Sequence, residues 1–242
     1  FNGTIFSAPE LGENIALKQK NKIFKHADLI LHGTIDYFSY HKFNLGRTPN
    51  WFLNPFNDKV FNGRKKHWAS LGDFDEDFGD IKSLWELSRF NWLIPLALAY
   101  AINREEKYIE KMNFLIFDWI KNNPINTGPN WKCGQESSIR VLNLILSSEI
   151  INGKTITSTF KEILKIHIHR IKPTVFYAKA QKNNHGISEG CALFLAGFIL
   201  RDVKKICKYH SIHKKGLQLI ENQVKDLILS DGTFSQYSIN YH

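Results

Sequence analysis

From about residue 83 onward, apolar positions recur with the 3.6-residue period of helices packed on a core. The pattern predicts helices over 84–102, 105–122, 135–151, 156–177, 187–200 and 204–229, with Ser83 placed to cap the first. Asn123-Pro124 stops the second, because the residue before a proline is pushed out of helical conformation, and a polar loop follows over 126–131. Upstream, one helix is expected over 13–32. The stretch 44–78, rich in Asn, Gly, Phe and Asp, carries little period and reads as irregular. No run of alternating β-branched residues calls for a sheet, so the expected class is all-α. Stretches 141–146 and 192–200 are apolar over most of their surface, which implies burial on two sides. A ring or layered array of antiparallel helical hairpins meets that requirement better than a four-helix bundle. The expected organisation is an irregular N-terminal segment, 1–80, with one or two helices packed on a helical domain over 81–242.

Composition narrows the class without naming a function. Of 242 residues, 43% are hydrophobic and 23% charged, which suits a globular chain and not a disordered one. Lys and Arg outnumber Asp and Glu by 32 to 23, a net +9 that attracts polyanions such as nucleic acid, anionic lipid or acidic polysaccharide. The three cysteines, Cys133, Cys191 and Cys207, lack the spacing of a zinc site or disulfide framework. No apolar run approaches the ~20 residues of a membrane span. The chain opens on Phe1 and closes on Tyr241-His242 in mid-phrase, so a fragment or processed piece is expected.

Four polar groupings stand at or near helix starts. In Trp85-Glu86-Leu87-Ser88-Arg89, Glu86 and Arg89 share a helix face, either as a structural ion pair or as part of a site. In the second, Asn130-Trp131 precedes Glu136, Arg140 and Asn143, a polar stripe that must line a wet cleft or form a buried network. The third, Asn183-Asn184-His185 with Glu189, puts carboxamides, an imidazole and a carboxylate at the mouth of an apolar helix, more polarity than a cap needs. A helix mouth favours anions, so this cluster suits an anionic ligand. The fourth starts at the Asp231-Gly232 turn and runs through Ser238 to Tyr241 and His242. Metal chemistry has no such support: His167 and His169 diverge on a helix, and Asp73–Asp77 lacks the glycine and terminal glutamate of a calcium loop. Nor is any phosphate-loop, dinucleotide or nucleic-acid motif present.

Taken in order, these groupings resemble the helical N-terminal region of the heparinase II/III family of polysaccharide lyases, over about two-thirds of the chain. The resemblance implies an incomplete (α/α) toroid followed by a C-terminal β-sandwich, a domain that would carry a histidine and a structural metal; no cofactor is implied for this fragment. It also implies β-elimination on a uronate-containing acidic polysaccharide, and a periplasmic or envelope location. By the same resemblance Asn184 and His185, with a protonated Glu136, would neutralise the uronate carboxylate, and Tyr241 would act as acid and base. Trp131 would stack on a sugar ring, Arg89 or Arg140 would hold acidic groups, and Glu189 and His242 would complete the substrate-binding set. Gln236 and Ile239 stand where glycosaminoglycan-degrading members often carry Glu and Pro, which points away from heparin. The alternative is an acidic-glycan-binding toroid without turnover, serving surface-polysaccharide synthesis or remodelling. Nucleic acid is not an expected partner.

Overall fold

The computed structural model describes residues 16–151, 157–201 and 208–235. Helix α1 (Leu17–Leu31) leads into three small antiparallel hairpins: β1 (Thr34–Tyr37) with β2 (His41–Asn44), β3 (Leu53–Asn54) with β4 (Lys59–Val60), and β5 (Phe74–Asp75) with β6 (Gly79–Asp80). The rest is helical: α2 (Lys82–Ser88), α3 (Leu93–Asn103), α4 (Glu106–Asn122), α5 (Gly134–Ile150), α6 (Ser158–Ile171), α7 (Val175–Ala180), α8 (Asn184–Leu200) and α9 (Lys208–Leu227). The all-α expectation holds. The hairpins escaped it because two- and four-residue strands are too short to show alternation.

Two expected helices are divided. The stretch 84–102 breaks into α2 and α3 at Phe90, whose φ is +66°. Asn143 Nδ2 pins the break by donating to the Arg89 carbonyl (2.9 Å) and to Asn91 Oδ1 (2.8 Å). Ser83 is not the cap of α2. The Asp80 carboxylate accepts from Lys82 N at 2.9 Å, and Ser83 Oγ donates to the Asp80 carbonyl. The stretch 156–177 divides at Pro173, which has no N–H to continue the ladder; a 3-10 turn, Lys172–Thr174, separates α6 from α7. The Asp73–Asp77 run makes a hairpin turn, with Asp75 Oδ1 accepting from the N–H groups of Asp77 and Phe78.

Helices α3, α5 and α8 pack side by side; α4 lies against α3, α9 against α8, and α6 against both α5 and α8. The division follows from sequence: α3 and α8 are apolar around most of their circumference, whereas α4, α6 and α9 are amphipathic, with one face left for water. The result is a layered array of hairpins. Close approach of α8 and α9 needs glycine, since a Cβ on Gly197 would sit 2.7 Å from the His213 nitrogen. One apolar core joins the N-terminal segment to the helices, with Ala27, Tyr37 and Trp51 packed among Leu84, Leu93 and Trp119. A second, around Val141, Leu164, Ile168, Leu193 and Ile212, fills the space between α5, α6, α8 and α9.

Candidate functional site

Three of the four polar groupings meet where α2, α5 and α8 begin or end. Arg89, at the end of α2, reaches the first turn of α5 and grips Glu136 in a bidentate pair (Nε to Oε2 2.7 Å, Nη2 to Oε1 2.8 Å). Its Nη1 donates to Glu86 Oε2 at 2.5 Å, and Glu86 Oε1 accepts from the Phe38 backbone in the β1–β2 turn. Both carboxylates are buried, while the Arg89 side chain keeps 24% exposure. The pairing holds the guanidinium well above its ordinary pKa through the Glu136 and Glu86 bonds, which outweigh burial. The triad carries a net charge of −1. The N–H left over on each terminal nitrogen is what Arg89 has to offer a ligand.

Arg140 and Trp131 lie deeper. Arg140 is fully buried, and its Nη2 donates to the Asn130 carbonyl (2.7 Å) and Ser137 Oγ (3.1 Å). Its Nε donates to His167 Nε2 at 3.1 Å, and the guanidinium lies over the Trp119 and Trp131 rings. Burial lowers its pKa to about 9, and burial beside that cation lowers His167 to about 3, so His167 is a neutral acceptor. His167 Nδ1 lies 2.8 Å from the Ile163 carbonyl, which assigns the proton to that nitrogen. His169 faces solvent, so the two histidines do diverge. Trp131 is 2% exposed, with its indole N–H on the Asn123 carbonyl. The stripe 136–140–143 therefore divides its duties. Glu136 faces Arg89, Asn143 pins the α2–α3 break, and Arg140 holds the interior together, offering a ligand nothing in this arrangement. Trp131 likewise shows little of its ring to solvent, only at the edge of an apolar pocket it shares with Trp119, Pro124 and Ile163.

At the mouth of α8, Asn183 is the cap, its Oδ1 accepting from His185 N at 2.9 Å. Asn184 and His185 occupy the first turn, half-buried. Burial lowers the His185 pKa, opposed by the charge of Glu136, so the ring is mainly neutral at neutral pH. Glu189, one turn on, is 2% exposed with Oε2 unpartnered. Burial raises its pKa to about 8, although the Arg170 charge pulls the other way. Gly134 makes room for it: a Cβ there would lie 2.5 Å from Glu189 Oε1 and 3.0 Å from Thr174 Oγ1. Burial thus favours the uncharged forms of Glu189 and His185, so Glu189 adds little negative charge of its own to oppose the helix dipole at this mouth. Tyr241 and His242 lie outside the described residues.

Arg170 has a role that sequence alone did not single out. This side chain donates to the Trp131 and Lys132 carbonyls (both 2.5 Å) and to Thr174 Oγ1 (3.1 Å), and stacks 3.8 Å from the Trp68 ring centre. With Arg140 on the Asn130 carbonyl, it secures the turn that launches α5 and so places Glu136. The available signal was a cation on the apolar stripe Ile163, His167, Ile171 of α6. Among the described residues no cluster of three or more His, Cys, Asp or Glu is arranged to hold a metal, and no helix is long and apolar enough to cross a membrane.

A family model described as heparinase II/III N-terminus matches residues 7–242. A heparin-sulfate lyase of Bacteroides thetaiotaomicron is 29% identical over 166 residues, covering 65% of this chain and 23% of the relative. One from Bacteroides stercoris is 21% identical over 184 residues, covering 67% and 27%. The chain thus spans about a quarter of the length of these curated relatives. Among solved structures, a heparan sulfate lyase from Pedobacter heparinus superposes with a TM-score of 0.59 at 19% identity, over 96% of this chain and 32% of that one. A heparinase III gives 0.62 at 18% identity, over 94% and 36%. At these identities the structural likeness speaks for the fold.

Proposed function

The chain belongs to the heparinase II/III N-terminus family, and from that premise we propose that the α8 mouth is the carboxylate-binding part of a polysaccharide-lyase site. The substrate is a uronate-containing acidic polysaccharide, held in the groove of an incomplete (α/α) toroid and cleaved by β-elimination. The observation that carries this reading is the α8 mouth itself: Asn184 and His185 in the first turn of a capped helix, with Glu189 favoured in its uncharged form by burial. A carboxylate docked there meets N–H donors and the positive end of a dipole without a competing charge from Glu189.

Binding that carboxylate withdraws electron density from C5 of the uronate and makes its hydrogen acidic. A base takes the C5 proton, the C4–C5 double bond forms, the C4–O bond breaks, and the departing oxygen receives a proton. Asn184 and His185 stabilise the charge that develops on the carboxylate, a role in which one lost donor typically costs about 10²–10³ in kcat. Tyr241 is assigned the proton transfers. Arg89, steered by Glu86 and Glu136, contacts an acidic group through its remaining N–H donors.

The test is turnover of uronate polymers by the full-length protein, followed in the ultraviolet. Elimination creates an unsaturated uronate that absorbs there, whereas hydrolysis does not. Asn184→Ala and Tyr241→Phe should each lower turnover about a hundredfold or more while binding persists. Turnover without the chromophore would sink the lyase reading. The commitment of Arg140 to the interior, and of most of Arg89 to carboxylates, favours a second reading, a glycan-binding domain without turnover. That reading predicts binding and no chromophore with any uronate polymer.

A further inference from the structure

On a different part of the molecule, the end of α1, the segment after β2 and the start of α4 enclose a cleft of about 550 Å³. It is lined by Leu31, His32, Arg47, Lys107, Glu110, Lys111 and Phe114. None of these residues contributes to the α8 mouth or to the Arg89 triad. Among the described residues no carboxylate pairs with the cleft's two central cations, Lys111 and Arg47. Lys111 is only 8% exposed, yet its ammonium is met by a backbone oxygen, Nζ donating to the Arg47 carbonyl at 3.1 Å.

Both cations stand over one ring, Arg47 at 5.9 Å and Lys111 at 5.7 Å from the centre of Phe114. An ammonium has three N–H donors, and one carbonyl leaves most of that capacity unspent. Burying a cation without a counter-charge is costly, and placing a second beside it adds repulsion. Burial and Arg47 accordingly lower the Lys111 pKa. His32 stands at the rim with Nδ1 turned to the Asp28 carbonyl at 2.7 Å, and Lys107 is steadied by Glu105. Glu110 is the one carboxylate in the lining, and it forms no ion pair with either central cation.

We propose that this cleft binds a sulfate or carboxylate group of an acidic saccharide, as an anion site separate from the α8 mouth. Arg47 and Lys111 hold the oxyanion, and the half-exposed face of Phe114 packs against the ring that bears it. The choice of a saccharide as carrier rests on the lyase reading; the demand for an anion rests on the cleft alone. A second contact of this kind would hold a long polymer while the reacting uronate sits at α8.

Calorimetric titration of the full-length protein tests this, using inorganic sulfate, a sulfated and an unsulfated uronate oligosaccharide, and a neutral oligosaccharide. Arg47→Gln alters only an exposed side chain and leaves the carbonyl that Lys111 uses; it should weaken anion binding roughly three- to fivefold at low salt. Lys111→Met, which preserves the apolar stem, should weaken it about tenfold or more. Glu110→Gln should tighten it. The oligosaccharide whose binding falls in the variants identifies the group recognised, and either one supports the proposal. Unchanged affinity in Arg47→Gln would overturn it even if Lys111→Met fails to fold, as would equal binding of the neutral oligosaccharide. Failure here is distinguishable from failure at α8, which is read from turnover by Asn184→Ala.

Discussion

Replacing Glu189 with Gln probes the central electrostatic feature of the α8 mouth. The buried carboxyl has an ordinary pKa of 4.5 and a folded-state value of about 8. The folded protein therefore binds this proton more tightly than the unfolded chain, and stability falls as pH rises through the interval between those values. At 1.36 kcal/mol per pH unit, the span from 4.5 to about 8 sets a ceiling of about 5 kcal/mol lost above pH 8, and about 3 kcal/mol at pH 7. Relaxation and water entry bring the expected effect nearer half of that. The amide introduced by Glu189→Gln has no such proton to lose. The stability difference, variant minus parent, should be constant below pH 4.5 and then grow in the variant's favour by about 2–3 kcal/mol up to pH 9. Urea unfolding followed by circular dichroism at about pH 4.5, 7 and 9 reads it directly. Any fixed cost of the amide shifts all three points equally, so the slope is the measurement. A difference that stays flat with pH would refute the assignment of Glu189 as a carboxyl held neutral by burial.

Other substitutions separate structural from site roles. Arg140→Met removes the donors that serve the Asn130 carbonyl, Ser137 and His167, and should cost about 2–4 kcal/mol of stability in denaturant unfolding. A cost under about 0.5 kcal/mol would contradict a structural Arg140. Gly134→Ala puts a methyl against Glu189 and Thr174; a loss of about 1–3 kcal/mol is expected, and restoration by Glu189→Ala in the same chain would show that this contact is responsible. Gly216→Ala drives a methyl into the Phe194 backbone, where α8 and α9 cross, so its melting temperature should drop by several degrees, about 2–4 °C per kcal/mol. An unchanged melting temperature would mean that the helices can part at no cost.

The hydrophobic pattern alone settled the class of this protein. Periods near 3.6 survive in any packing of helices, so the segments now seen as α4, α5, α8 and α9 were legible within a few residues, as was the crowding of polar groups at the starts of α5 and α8. The anion-friendly mouth around Asn183, Asn184 and His185 was legible for the same reason: a cap and a surplus of polar groups are local facts. Where α2 parts from α3 was not legible. Phe90 takes a left-handed conformation because Asn143, more than 50 residues away in sequence, holds the chain there. The strands of the three hairpins were too short to register.

The partition of the polar residues needed tertiary structure. Glu136 and Arg140 lie on one helix, four residues apart, yet one pairs with the partly exposed Arg89 and the other is sealed beneath Trp119 and Trp131. Spacing says only that two side chains share a helix face; it cannot say which neighbouring helix covers that face, or how deeply. The same holds for Glu189, whose carboxyl is shifted toward its neutral form by burial beside Gly134, and for Lys111, which has no carboxylate partner among the described residues and meets Arg47 only when α1, α4 and the segment after β2 come together. Local pattern determined which segments are helical and which ends are polar; the desolvation that decides what each polar group does is a property of the assembled fold.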